Sequence, residues 1–77
     1  GPKGEAERIT VLHKNVPNMI GQFTALLAQE NLNISLMTNK SRKEYAYTVL
    51  DVEGEVSADV EEKIRAIDGV RGVRVIK

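Results

Sequence analysis

Apolar positions along the chain alternate between a two-residue and a 3.6-residue rhythm. In "RITVL", Ile9 and Val11 share one face and Thr10 and Leu12 the other, which predicts a strand. From Met19 the rhythm lengthens. Met19, Ile20, Phe23, Leu26 and Leu27 fall on one face of a helix that should end near Asn31, with Asn18 as its N-cap. "NISLMTN" (33–39) and "EYAYTVLDVE" (44–53) read as strands joined into a hairpin by the polar "KSRK". A second helix follows, capped by Ser57. Val60, Ile64 and Ile67 line its buried face, and Asp59, Glu61 and Glu62 sit toward its positive end. "DG" at 68–69 stops it, and "VRGVRVI" is a fourth strand.

The order βαββαβ predicts a ferredoxin-like α+β sandwich. Right-handed crossovers would place both helices on one face of a four-stranded antiparallel sheet ordered 4-1-3-2. Alternation along the third strand turns Ala46, Thr48, Leu50 and Val52 toward the helices. Tyr45, Tyr47, Val49 and Asp51 then lie on the open face. Residues 1–7, "GPKGEAE", carry no apolar pattern and read as a linker or cloning scar, with residues 8–77 as one domain. The end, "VRVIK", stops within a strand pattern, as a natural C-terminus would.

Composition narrows the chemistry. Eleven basic and eleven acidic residues cancel, so no overall field draws nucleic acid or anionic membrane. With no cysteine there is no disulfide, thiolate metal site or Cys nucleophile, which fits a cytoplasmic protein. No apolar run is long enough to span a bilayer. One histidine, with no nucleophile and acid spaced around it, does not make a hydrolytic triad, and no metal-ligand spacing or phosphate-binding glycine loop occurs. Acylphosphatases share the topology but use an arginine in the first strand–helix loop, where this chain has Lys14. The fragment is therefore expected to bind rather than catalyse.

Two binding readings remain open on the residues. "KEYAYTVL" (43–50) resembles the third-strand signature of RNA-recognition modules, with Tyr45 and Tyr47 placed to stack bases. Glu44 stands where that signature has glycine, Thr10 replaces a platform aromatic, and the net charge is zero, so nucleic acid is the weaker reading. The other begins at "LHKNVPNMIG" (12–21), where the only histidine and two asparagines gather at a strand-to-helix corner. Backbone N–H groups at a helix start suit a carboxylate. His13, Asn15, Asn18 and, twenty residues after His13, Asn33 supply donors and acceptors for a small zwitterion. As isolated residues, they also fit turn, capping and local hydrogen-bonding roles.

At this point the sequence resembles the ACT family, most closely its serine-binding branch at the C-terminus of D-3-phosphoglycerate dehydrogenases. The strand, the "H-x-N-x-P" corner, "N-x-N-I" at 31–34, "DVEGEV" and "IDGVRGVRVI" carry the likeness over residues 8–77. The resemblance implies a regulatory domain that binds L-serine and gives feedback inhibition of serine synthesis. His13 and Asn15 would come from one chain and Asn33 from its partner, with Val16, Pro17, Asn18, Met19 and Ile34 lining the site. It implies a homodimer paired through strand 33–39 into one eight-stranded sheet, and no metal or cofactor in this fragment. NAD would belong to the parent dehydrogenase. An ACT module that only dimerises, with no effector or a different amino acid, is the alternative. Where the family commonly has glycine after the loop proline, this chain has Asn18, a residue that tolerates left-handed backbone.

Overall fold

The computed structural model describes residues 6–76. Its elements are β1 (Ala6–Lys14), α1 (Met19–Gln29), β2 (Asn33–Arg42), β3 (Tyr45–Glu53), α2 (Ala58–Arg65) and β4 (Val70–Ile76). The four strands form one sheet in the order β2-β3-β1-β4, the expected order read from its other edge. All three pairings are antiparallel, with Leu12 opposite Tyr47 and Gly72, and Leu50 opposite Met37 and Ile9.

The alternation produces a two-layer core. Ile9 and Val11 of β1 and Leu50 and Val52 of β3 are buried against Phe23 and Leu27 of α1 and Val60 and Ile64 of α2. Burying these apolar side chains is the main force joining sheet to helices, at roughly 25 cal/mol per Å² removed from water. Thr48 and His13 lie within the same layer, both buried.

Caps fix the helix ends. Ser57 Oγ accepts from the Val60 N–H at 3.2 Å, as expected. Asn31 adopts φ 62°, and the Asn31 and Leu32 N–H groups donate to Ala28 and Leu27 carbonyls. This is a Schellman stop with asparagine in the position usually held by glycine. Asn18 departs from expectation: it occupies the N-cap position of α1 at φ 75°, and its side chain makes no cap hydrogen bond. Left-handed backbone at Asn18 replaces the extended geometry from which an N-cap side chain reaches N2 or N3.

Several boundaries also move. β2 runs on through Lys40–Arg42, residues expected in the turn, so the hairpin turns tightly at Lys43 and Glu44. α2 ends at Arg65, ahead of Asp68, because Ile67 and Val70 N–H groups bond Ile64 and Ile67 carbonyls in successive turns. β1 begins at Ala6, inside the segment expected to be linker. Glu7 is buried there and its Oε1 accepts from the Val56 N–H at 2.9 Å, tying the start of β1 to the approach to α2. The rest of the expected linker, residues 1–5, lies outside the described residues, as does Lys77.

On the open face, cross-strand rows run Lys40–Tyr47–Leu12–Gly72 and Thr38–Val49–Thr10–Arg74. Arg8 lies opposite Asp51 and clamps it through two bonds of 2.8 and 3.0 Å. Arg71 reaches the Tyr45 hydroxyl and lies over its ring, 5.8 Å from the centroid. Although the whole chain is neutral, Arg8, Lys14, Lys40, Arg42, Arg71 and Arg74 share this side, among the described residues, with only Asp51 and, at one end, Glu53.

The hydrogen bond from Arg8 holds the Asp51 carboxyl below its ordinary range, against the smaller opposing effect of burial. A carboxyl depressed in the folded state stabilises the fold above its unfolded pKa, about 3.9, and that contribution disappears as pH falls through the folded value. Urea unfolding of Asp51→Asn and the parent chain should therefore differ most at neutral pH and converge below about pH 4. A difference that persists undiminished at acid pH would contradict this role for the pair.

Candidate functional site

β1 is central in the sheet, and its exit is held from both sides. The Lys14 N–H donates to the Gly69 carbonyl at 2.9 Å, and the Asn15 N–H to the Glu44 carbonyl at 2.8 Å. Gly69 has φ 99°, and a Cβ there would lie 3.2 Å from the Met19 methyl. The left-handed φ favours glycine, and any side chain there would also push the Met19 methyl aside by a few tenths of an ångström. The Asn15 side chain donates from Nδ2 to the Lys43 carbonyl at 3.2 Å, bridging the corner to the β2–β3 turn. Between them Lys14, Asn15, Val16, Glu44 and Tyr45 line a groove of about 460 Å³, within the size range of small-ligand sites.

Val16, Pro17 and Asn18 are exposed, whereas Met19 is buried beneath them. The left-handed Asn18 turns the chain into α1, and its carbonyl accepts from both the backbone and the side-chain N–H groups of Gln22. Helix residue Gly21 leaves room for the Asn18 side chain, since a Cβ there would sit 3.1 Å from Oδ1.

His13 lies under the corner rather than in its open mouth, with only 2% of its surface exposed. Nδ1 is 2.8 Å from the Lys14 carbonyl oxygen and Nε2 is 2.7 Å from Thr48 Oγ1. Phe23 meets the ring edge-on, with centroids 5.0 Å apart. Thr48 also accepts from Asn39 Nδ2 at 2.9 Å. Neither Thr48 nor Asn39 was singled out by the sequence. The available signal was a lone hydroxyl in the buried alternation Ala46–Thr48–Leu50–Val52.

Asn33 is not at this corner. It lies opposite Glu53 on β3, seven positions from Ala46, the partner of His13, and bonds Glu53 Oε1 at 3.3 Å. At about 3.3 Å per residue that separation is roughly 23 Å. One chain therefore brings His13, Asn15, Val16, Pro17, Asn18 and Met19 together and leaves Asn33 and Ile34 at the far end of the edge strand. Among the described residues there is no cluster of three or more metal-ligating side chains, and no helix is long and apolar enough to cross a membrane.

No protein-family model matches the chain. It is 27% identical over 70 residues to D-3-phosphoglycerate dehydrogenase of Haemophilus influenzae, covering 91% of this chain and 17% of that protein. The same enzyme of Dictyostelium discoideum is 28% identical over 69 residues, covering 90% and 16%. The chain thus spans about a sixth of the curated relatives it matches. Among solved structures, the ACT domain of a Chlorobium tepidum GTP pyrophosphokinase superposes with a TM-score of 0.79 at 16% identity, covering 96% of this chain and all of that one. A homoserine dehydrogenase from Thiobacillus denitrificans gives 0.78 at 24% identity, covering 94% and 17%. These likenesses establish the ferredoxin-like ACT fold.

The turn itself is testable. At φ 75°, glycine removes the Cβ penalty that asparagine only partly escapes, so Asn18→Gly should leave thermal stability unchanged or raise it. Asn18→Ala should cost about 1 kcal/mol in denaturant unfolding. Equal stability of the alanine and glycine variants would show that the left-handed turn is not a constraint.

Proposed function

We propose that this ACT-fold chain is the effector-binding domain of a D-3-phosphoglycerate dehydrogenase, sensing L-serine for feedback control of serine synthesis. The observation that carries the reading is the corner itself: Asn15 lines a groove roomy enough for an amino acid, with His13 buried beneath the corner, in a chain similar to two such dehydrogenases over nine-tenths of its length. A zwitterion's carboxylate matches N–H donors at the helix start, and its ammonium matches the carbonyls and Glu44 around the groove. The parent enzyme would act in the cytoplasm with NAD, bound outside this fragment.

Asn33 enters through a second copy. β2 is an edge strand of ten residues, Asn33 to Arg42. Twofold antiparallel pairing about its middle sets Asn33 of one copy opposite Arg42 of the other. Arg42 lies across from Tyr45, and Tyr45 from Lys14, so that end of the pair is the corner end. Leu36 and Met37 are exposed on this edge, which favours covering it, while Lys40 and Arg42 temper the tendency. Each site would then be shared between two chains, and serine would favour the paired arrangement.

A dimerising ACT module without an effector is the second reading. It is favoured by the engagement of both His13 nitrogens within the chain and of Asn33 with Glu53.

Calorimetry against a panel of amino acids decides between them. Serine has about seven heavy atoms, and at ~1 kcal/mol each its Kd would be on the order of 10 μM. Asn15→Ala and Asn33→Ala should each weaken binding by roughly 1–3 kcal/mol. Titrations unchanged in both variants would remove these residues from the site.

Sedimentation tests the sharing. The chain should form a dimer that serine tightens, and Leu36→Pro should weaken both dimer and binding while the monomer's circular dichroism is retained. A monomer that binds serine at full strength would refute the shared site.

A further inference from the structure

We infer that Asn39 and Thr48 are positioning residues that, together with the Lys14 carbonyl, hold the proton of His13 on Nδ1, so that the ring nitrogen nearest the corner is a donor matched to a carboxylate. Its bearing on serine rests on the proposed function; the proton assignment does not.

The assignment follows from which atoms can donate. Nδ1 lies 2.8 Å from the Lys14 carbonyl oxygen, which only accepts, so Nδ1 carries hydrogen. In the neutral ring Nε2 then has a lone pair, and the atom facing it at 2.7 Å is Thr48 Oγ1. A hydroxyl has one hydrogen to give. Thr48 can direct it at Nε2 because its oxygen receives an N–H from Asn39 at 2.9 Å. The hydrogen bonds therefore run in one direction, from Asn39 to Thr48 to His13 to the Lys14 carbonyl.

Burial enforces that direction. Thr48 is fully buried, His13 is 2% exposed, and Phe23 closes one side of the ring. With hydrogen on Nε2 instead, the Nδ1 lone pair would face a carbonyl oxygen at 2.8 Å, and the Thr48 hydrogen would need another acceptor inside an apolar layer. No buried side-chain nitrogen or oxygen among the described residues lacks a partner in the observed arrangement. The state of one imidazole nitrogen is set by what the other bonds. Here the Lys14 carbonyl sets hydrogen on Nδ1, and Asn39 and Thr48, on the two neighbouring strands, supply the matching donor at Nε2. A carboxylate entering the corner would compete with the Lys14 carbonyl for an N–H already in place.

The sequence contains a single histidine, so long-range 1H–15N correlation shows one imidazole without assignment. At mildly alkaline pH, where imidazoles are neutral, the 77-residue chain should show Nδ1 protonated and Nε2 unprotonated. Thr48→Val, close in shape, should move the Nε2 resonance to that of an unbonded nitrogen while hydrogen stays on Nδ1, and Thr48→Ser should keep the parent pattern. Asn39→Ala, at an exposed position, should shift the Nε2 resonance toward a weaker hydrogen bond, and gives a readout should the core variants fold poorly. Hydrogen on Nε2 in the parent chain, or an unmoved Nε2 resonance in folded Thr48→Val, would overturn the inference. An unmoved Nε2 resonance in Asn39→Ala would overturn the part assigned to Asn39.

Serine titration adds a separate arm. Thr48→Val should bind roughly tenfold more weakly than the parent. Unchanged affinity would overturn the lock's part in recognition. A fixed tautomer in a parent chain that binds no serine would refute the proposed effector while supporting the lock.

Discussion

A neutral imidazole inside an apolar layer is tolerable only when both of its nitrogens are bonded, because each unpartnered polar atom costs on the order of 1–3 kcal/mol. His13 imposes that condition on the end of the sheet. Nδ1 needs the Lys14 carbonyl, so the chain cannot leave β1 before Lys14. The Lys14 N–H is in turn taken by Gly69, whose lack of a side chain lets Met19 pack close and carries the chain into β4. Nε2 needs a donor from β3, which gives Thr48 a hydroxyl in an otherwise apolar row. Corner, hairpin and helix start are in this sense consequences of placing one polar ring beside Phe23.

The parts of the fold that periodicity could reveal were those where one side of an element is buried and the other wet. Leu50 and Val52 against Asp51, or Met19, Phe23 and Leu27 at helical spacing, leave little freedom, because shifting an element by one residue would expose its core face. Strand order followed from connection rules rather than from any residue. Boundaries were less legible where polarity misleads. "KSRK" reads as turn, yet Lys40 and Arg42 extend an edge strand, since an edge tolerates charged side chains that a central strand would exclude. Glu7 reads as linker, yet its carboxylate is the acceptor that Val56 requires.

At the candidate site, residue types were legible and their depth was not. Asn15 and Asn18 emerge at the surface of the corner, as a polar run before a helix suggests. Asn18 takes the left-handed backbone that glycine would adopt without penalty. His13 looked like part of the loop, but a strand that runs two residues past the end of "RITVL" carries it into the core-facing alternation behind Ile9 and Val11. Its partner Thr48 on β3, and Asn39 of β2, which bonds Thr48, stand 35 and 26 positions away in the chain, where no local pattern could connect them. Asn33 shows the complementary limit, because its distance from the corner is a property of one chain, whereas the proposed shared site would belong to two.

Charge separation across the sheet bears on how two such chains can meet. Stacking open face on open face about a twofold axis would set the cations Lys40, Arg42, Arg71 and Arg74 of one copy against the cationic face of the other, where charges within ~10 Å remain visible to each other. Tyr47, Leu12 and Leu36 would gain contact there, but only by desolvating the cations around them. Edge pairing along β2 avoids that confrontation, since strands of one continuous sheet carry their open faces side by side and leave the cations in water. The apolar patch on the open face is thus surrounded by the repulsion that discourages face-to-face pairing. Formal neutrality conceals a preferred direction of approach.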